Sequence, residues 1–502
     1  MNNLQQNPAI SVIDLAYRLD DLQEGFDGPV FASIIDPDSN DFATLSELQQ
    51  KLAEGNLTSV DLVTRALARI SALNEKGPQL RAVIETNPDA LTIAQDRDAE
   101  RFEGVLRGPL HGIPVLLKDN LDSGDGMQTS AGSLALVGEP AAADAYVVQR
   151  LRASGAIILG KANTSEWMGF RDWTAPLGWS GRGGQTRSAL GRDFPVYGSS
   201  AGSAVAVSAG IVAIAVGTET NGSLVGPAYC NHVVGLRPTL GLLSQYGMLP
   251  LSSLQDTPGP MARTVTDAAL LVDAMFGLDR PDQVPEGAPQ APVAYAAALD
   301  DSALWGVRLG YPVHSGGGAT MADDPAFAAL LSRLESAGAT VVPVQFEFPD
   351  LFPEQMAVLS YDFKRELARY LAGRPGVGVK SLADVIAFNT ANPLPEGYAQ
   401  GLLESSEALA FNEEDYTCVA HQLRSQSRCL LDTALQVHDL AALIDLPLGY
   451  LNSYGAQAGY PGLTVPAGLD EDGRPTGLCF IGPQWSDGVL LSLGYAFEQS
   501  GR

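Results

Sequence analysis

Short apolar runs alternate with helical stretches along most of this chain, and that alternation limits the fold more than any other feature. Ala82-Val83-Ile84, Ile113 to Leu117, Ala156 to Leu159 and Val212 to Val216 are strand-length and apolar throughout. Such runs suit strands buried on both faces. The pattern continues with a helix expected over Thr264 to Phe276, a strand over Val307 to Gly310, a helix over Pro325 to Ala337 and a strand over Thr340 to Val344. The sequence therefore reads as α/β, a single domain with a large mixed β-sheet covered on both faces by helices.

Around this core, Thr44 to Asn74 holds two helical stretches, the second opened by Thr58 and Ser59 as caps before Val60, Leu62, Val63 and Leu67. Residues 1–43 read as an N-terminal extension and helix, and 44–502 as one domain. Pro281 to Pro292 reads as a surface connection, and 349–436 as a mainly helical flank or lid over the site.

A chain of 502 residues, 45% hydrophobic, can bury a large core. Its 31 basic and 58 acidic residues leave a net charge of -27, which argues against nucleic acid and anionic membranes as partners. The longest apolar stretch, Ala204 to Gly217, is too short for a membrane helix. Cys230, Cys418, Cys429 and Cys479 show no metal or redox spacing and read as free. The start, Met1-Asn2-Asn3, lacks a basic segment leading into an apolar run. A cytoplasmic setting is the default expectation, with a secreted or periplasmic one if a signal peptide has been removed.

Two small-residue turns carry the chemical interest. Gly198-Ser199-Ser200-Ala201-Gly202-Ser203 leads into a helical segment, where it could be an ordinary cap or an approach for a bound group. Gly217-Thr218-Glu219-Thr220-Asn221-Gly222-Ser223 follows a buried strand and presents a serine after glycine and successive amides, a setting that suits a nucleophile beside an oxyanion site. Ser223 has no Gly-x-Ser-x-Gly elbow. His111, His232, His314, His421 and His438 are scattered among loops and helices with no obvious orienting carboxylate, so histidine is a poor candidate base. A desolvated lysine can serve instead, because burial favours its neutral form. Lys118 and Lys161 both end apolar runs, and spacing alone does not separate them.

These segments resemble the amidase signature family. The matching pieces are Gly112 to Asn120, Gly160-Lys161-Ala162-Asn163, Gly198 to Ser203, Gly222-Ser223-Leu224, Val234 to Thr239, Asp256 to Arg263 and Gly459 to Pro466. The interval 223 - 199 = 24 is that of the family's serine pair, which singles out Ser199 over Ser200. The resemblance implies that Ser223 is the nucleophile, that Ser199 sits on a cis peptide and relays the proton, and that Lys118 is base and then acid. It also implies an oxyanion hole made by the amides of Thr220, Asn221, Gly222 and Ser223, with no metal or organic cofactor. The implied activity is hydrolysis of a carboxamide in a small-molecule or peptide substrate through an acyl-enzyme, with no obligatory protein partner evident.

Within the family the likeness is to bacterial peptide amidases, which remove C-terminal amides from peptides; it rests on Gly178 to Arg187 and Gly494 to Gln499. Met168, Gly169 and Ser199 are the substrate-binding candidates. Departures from the family pattern are Tyr197 and Ala201 beside the first serine, Asn221 where Gly or Asp is common, Met168-Gly169 where Ala-Asn is expected, and Leu446-Pro447-Leu448. The alternatives are the same site turned to aryl or fatty amides, esters, carbamates or amide synthesis, one component of a glutamine-dependent transamidase, or an inactive binding scaffold.

Overall fold

The computed structural model describes residues 40–279, 285–289, 291–314 and 320–501. Most of the N-terminal extension and part of the 281–292 connection lie outside them. Two capped helices come first, α1 (Leu45–Ala53) and α2 (Ser59–Arg69). Each opens on a threonine, Thr44 and Thr58, whose hydroxyl accepts a main-chain N–H three residues on while an acid there reciprocates. The first half of the sheet follows: β1 (Val83–Thr86), α3 (Ala90–Phe102), β2 (Pro114–Lys118), α4 (Tyr146–Ala153), β3 (Ile157–Ala162), the short β4 (Trp179–Ser180) and β5 (Gly184–Gln185), α5 (Ala201–Ser208), β6 (Ile214–Glu219), α6 (Val225–Cys230), β7 (Val234–Arg237) and β8 (Thr257–Ala262). The second half comprises α7 (Val265–Met275), β9 (Arg308–Pro312), α8 (Pro325–Ser336), β10 (Thr340–Val344), the helices α9 (Phe352–Ala372), α10 (Leu382–Ala391), α11 (Gly401–Ala408) and α12 (Glu413–Val437), then β11 (Ala442–Asp445), α13 (Tyr450–Ala458), β12 (Gly462–Leu469), β13 (Pro475–Ile481) and α14 (Asp487–Gln499).

Eleven strands form one mixed sheet in the order β1-β3-β2-β6-β8-β7-β12-β13-β11-β9-β10. β2 lies parallel to β3 and β6, whereas β8 runs antiparallel to β6 and β7. The two-residue period of a strand divides the core. Val115 and Leu117 face one apolar cluster with Ile158, Ile214 and Val216, while Leu116 faces another with Ile157, Ala162, Ala215 and the buried residues of α5. Helices cover both faces, as the sequence pattern implies.

β8 escapes the strand-propensity rules: Pro258 and Pro260 sit inside it, opposite Thr218 and Val216 of β6. Its other neighbour, β7, pairs only with Met261 and Ala262, so the prolines fall where no ladder is required on that side.

The α5 helix is buried along its whole length and built from Ala, Gly, Ser and Val. Its small residues let it lie close to the sheet. At Gly202 a Cβ would stand 2.4 Å from Ala82 O and Asn163 N and 2.5 Å from Asn163 O, all main-chain atoms with little freedom to retreat. Gly202→Ala should lower stability by about 1–3 kcal/mol through overpacking. An unchanged unfolding midpoint would show that this close approach is not a constraint.

Candidate active site

Lys118 ends β2, and the strand period places it on the same face as Leu116, toward α5. Lys161 is the penultimate residue of the neighbouring strand and points the other way. In β3 the register jumps from Val115↔Ile158 to Leu116↔Gly160, so Leu159 is an extra residue and Lys161 pairs with Leu117. The bulge reverses the face of everything after it. Lys161 Nζ therefore donates to Leu121 O at 2.5 Å and Thr129 Oγ1 at 3.0 Å, among the acids Asp119 and Asp122.

Lys118 is fully buried. Its Nζ donates to Ser199 Oγ at 2.6 Å, Thr218 Oγ1 at 2.9 Å, Thr218 O at 3.0 Å and Ser200 Oγ at 3.1 Å. No carboxylate is among these partners, and burial drives its pKa down to about 7, with the more distant charges of Asp256 and Glu219 pulling it partly back. Room for this cluster depends on Gly217, where a Cβ would come 2.7 Å from Ser200 Oγ.

The two adjacent serines differ in their bonding. Ser200 Oγ donates to Thr218 O at 2.9 Å and accepts from Thr218 N at 3.2 Å, which commits its proton to a main-chain carbonyl. Ser199 follows a cis Gly198–Ser199 peptide bond, and its hydroxyl is bonded to Lys118. Ser223 is tied to this group through its main chain: Ser200 N donates to Ser223 O at 3.3 Å, and 8% of Ser223 is exposed against 1% of Ser199 and none of Lys118. Ser223 is thus the member of the group that solvent reaches.

The turn before Ser223 is folded by a buried carboxylate. Glu219 Oε2 accepts from Leu224 N at 2.6 Å and Val225 N at 3.1 Å, and Gly222 adopts φ +77°, which permits the reversal. Among the described residues, the amides of Asn221, Gly222 and Ser223 meet no protein acceptor. The Asn221 side chain donates to Ser453 Oγ on α13 at 2.9 Å.

The remaining candidates sit to one side. Ser165 N donates to Ser199 O at 3.1 Å and ties the 165–169 segment to the site. Met168 is buried in the apolar cluster that holds Phe363 and Leu367 of α9, and Gly169, at φ +86°, faces Leu177. Of the histidines, His111 is buried with Nε2 bonded to Arg97 O. Sequence reasoning missed Ser200 and Thr218 as partners of the amine, and Arg237, Gln255 and Asp256 as supports of the turn. Their one available signal was position, at strand ends or within motifs noted for other reasons.

A buried amine with a pKa near neutrality, hydrogen-bonded to a serine beside a second serine and a row of free amides, is an arrangement suited to acyl transfer. The chain belongs to the amidase family, whose model matches residues 61–444. It is an amide-hydrolysing enzyme. Among solved structures it is similar to the native peptide amidase of Stenotrophomonas maltophilia, with 43% identity, a TM-score of 0.86, and coverage of 91% of this chain and 96% of that one. Among curated relatives, an Arabidopsis thaliana protein named as a probable amidase is 39% identical over 91% of this chain and 90% of its own length. A glutamyl-tRNA(Gln) amidotransferase component from Halorhodospira halophila is 33% identical over 91% of this chain and 96% of its own. No helix among the described residues is long and apolar enough to cross a membrane.

The two lysines should separate in stability measurements. Lys118 has a folded pKa depressed to about 7 against an ordinary 10.5. It therefore imposes a cost that is full at and below pH 7 and fades as pH rises toward 10.5. Lys118→Met removes that cost, and Thr218 O and Thr218 Oγ1 keep Ser200 and Asn120 as donors, so its melting temperature at pH 7 should rise. Lys161→Met removes one of the charges beside the buried Asp119 and Asp122, which keep Arg182 and Arg374, and takes a donor from Leu121 O and Thr129 Oγ1, so it should lower stability by about 1–3 kcal/mol. Thermal unfolding of both variants checks the pair; equal shifts would contradict the assignment of the two faces.

Proposed function

We propose that Ser223 is the acylating nucleophile of a peptide amidase, with Ser199 as proton relay and Lys118 as the base and then the acid. The observation that carries this reading is the 2.6 Å contact between Ser199 Oγ and the buried, uncharged-prone Lys118 Nζ. A neutral amine retains a lone pair that can accept the Ser199 proton, while its N–H groups remain directed at Thr218 and Ser200. Ser199 in turn takes the proton of Ser223 as Ser223 Oγ bonds to the carbonyl carbon. The oxyanion that forms is held by amides of the Thr220 to Ser223 turn, each such donor contributing roughly 3 kcal/mol.

Collapse of the tetrahedral adduct expels ammonia, which leaves with a proton returned from Lys118 through Ser199. Water then repeats the path in reverse roles and releases the acid. The domain from residue 44 to 502 acts as the catalytic unit, residues 1–43 as an extension, and the helices of 349–436 as a flank over the site. Peptide C-terminal amides are the substrate class, on the strength of the 43% identity to a peptide amidase against 33% to an amidotransferase component. The setting proposed is cytoplasmic.

A panel of peptide amides, aryl amides and fatty amides, assayed by ammonia release, tests the substrate; turnover of the other amides without the peptide amides would overturn it. Ser223→Ala and Lys118→Ala should reduce kcat by at least about a thousandfold without loss of folding, with Ser199→Ala close behind. Because the neutral amine is the active form and dominates only above pH 7, kcat/KM should climb between about pH 6 and 8 with a midpoint near 7. A flat profile over that range would remove Lys118 from the base role.

A further inference from the structure

The oxyanion turn has no regular secondary structure of its own, yet its amides must point at one place. In a planar trans peptide, the carbonyl of one residue and the N–H of the next are fixed on opposite sides of a single rigid unit. Whatever holds Thr220 O therefore aims Asn221 N–H. Two side chains hold it: Gln255 Nε2 donates to Thr220 O at 3.2 Å and Arg237 Nη1 at 3.3 Å. Arg237 Nη1 also reaches Glu219 O at 3.2 Å, and its Nη2 donates to Gln255 O at 2.7 Å. Arg237 thus locks the Gln255 main chain to the same turn.

The side chain of Thr220 is gripped as well. Its hydroxyl donates to Asp256 Oδ1 at 2.5 Å, and the other carboxylate oxygen accepts from Leu251 N at 2.7 Å and Ser252 N at 2.9 Å. Ser252 Oγ passes the connection on to Asp362 Oδ2 of α9 at 2.6 Å. Gln255, Asp256 and Asp362 are each buried and lie outside the group around Lys118.

We infer that Gln255 and Asp256 are positioning residues of the oxyanion turn, Gln255 by fixing the Thr220–Asn221 peptide plane and Asp256 by fixing the Thr220 side chain to the 251–256 turn that bears on α9. This rests on the reading of Ser223 as nucleophile. Neither residue touches the reacting atoms. Both act on the direction of an amide that matters only once the oxyanion has formed, so their contribution belongs to the transition state and not to substrate binding.

Gln255→Met and Thr220→Val each remove one grip with little change of shape. Each should lower kcat about tenfold or more while KM stays within about twofold. Affinity for a peptide aldehyde, which forms a tetrahedral oxyanion on Ser223, should fall by the same factor as kcat, while affinity for the peptide acid product holds. Because both grips orient one turn, the double variant should lose far less than the product of the two single losses. Thermal unfolding identifies any variant that has not folded, in which case the other carries the test. Wild-type kcat in a folded variant, or a rise in KM at constant kcat, would overturn the inference. Mass mapping of a fluorophosphonate adduct in the wild type distinguishes the two readings: an adduct away from Ser223 defeats the nucleophile assignment, whereas an adduct on Ser223 with undiminished kcat in the variants defeats the positioning role alone.

Discussion

A lysine ammonium without a carboxylate partner is hard to bury, and the site is organised around one. Lys118 is enclosed by hydroxyls and a carbonyl, which satisfy its N–H groups but do not neutralise it. Desolvation dominates, and Asp256 and Glu219 stand close enough to temper it without forming an ion pair. The result is an amine balanced between its two protonation states near neutrality. In a salt bridge it would stay charged and could not accept a proton; with no acids near it, burial would push its pKa lower still, and it would take up a proton less readily.

That balance requires close packing from several directions. β2 delivers the amine, the start of α5 delivers Ser199 and Ser200, and the end of β6 delivers Thr218. Small residues make the convergence possible: Gly217 leaves space for Ser200, and Gly202 lets α5 approach Ala82 and Asn163. The apolar clusters on the two faces of the sheet exclude water from the cluster, which is also the source of the desolvation. Packing and the protonation balance of Lys118 are therefore one constraint here, because the close packing that shuts out water is what desolvates the amine.

Around the turn that leads to Ser223, buried ionic groups act as scaffolding. Glu219 gathers the amides of Leu224 and Val225, and Arg237 bridges Glu219, Thr220 and Gln255. These bonds hold the turn while the amides of Asn221 to Ser223 meet no protein acceptor among the described residues. Asp256 and Ser252 extend the scaffold to α9, linking that helix and the turn before Ser223 through hydrogen bonds.

The sequence by itself determined the α/β class, the family, most strands of the first half and the identity of the residue types from which a base could be drawn. These are local properties: apolar periodicity, helix caps and motif spacing are written in neighbouring residues. Tertiary structure decided what depends on distant partners. Thr257 to Ala262 is a central strand despite two prolines, because β7 leaves them no ladder to fill. Ser200 is set apart from Ser199 by a hydrogen bond to Thr218, eighteen residues away. Lys118 and Lys161, alike in sequence, point to opposite faces because a single extra residue at Leu159 reverses the alternation, and a register against a neighbouring strand exists only once the two strands are paired.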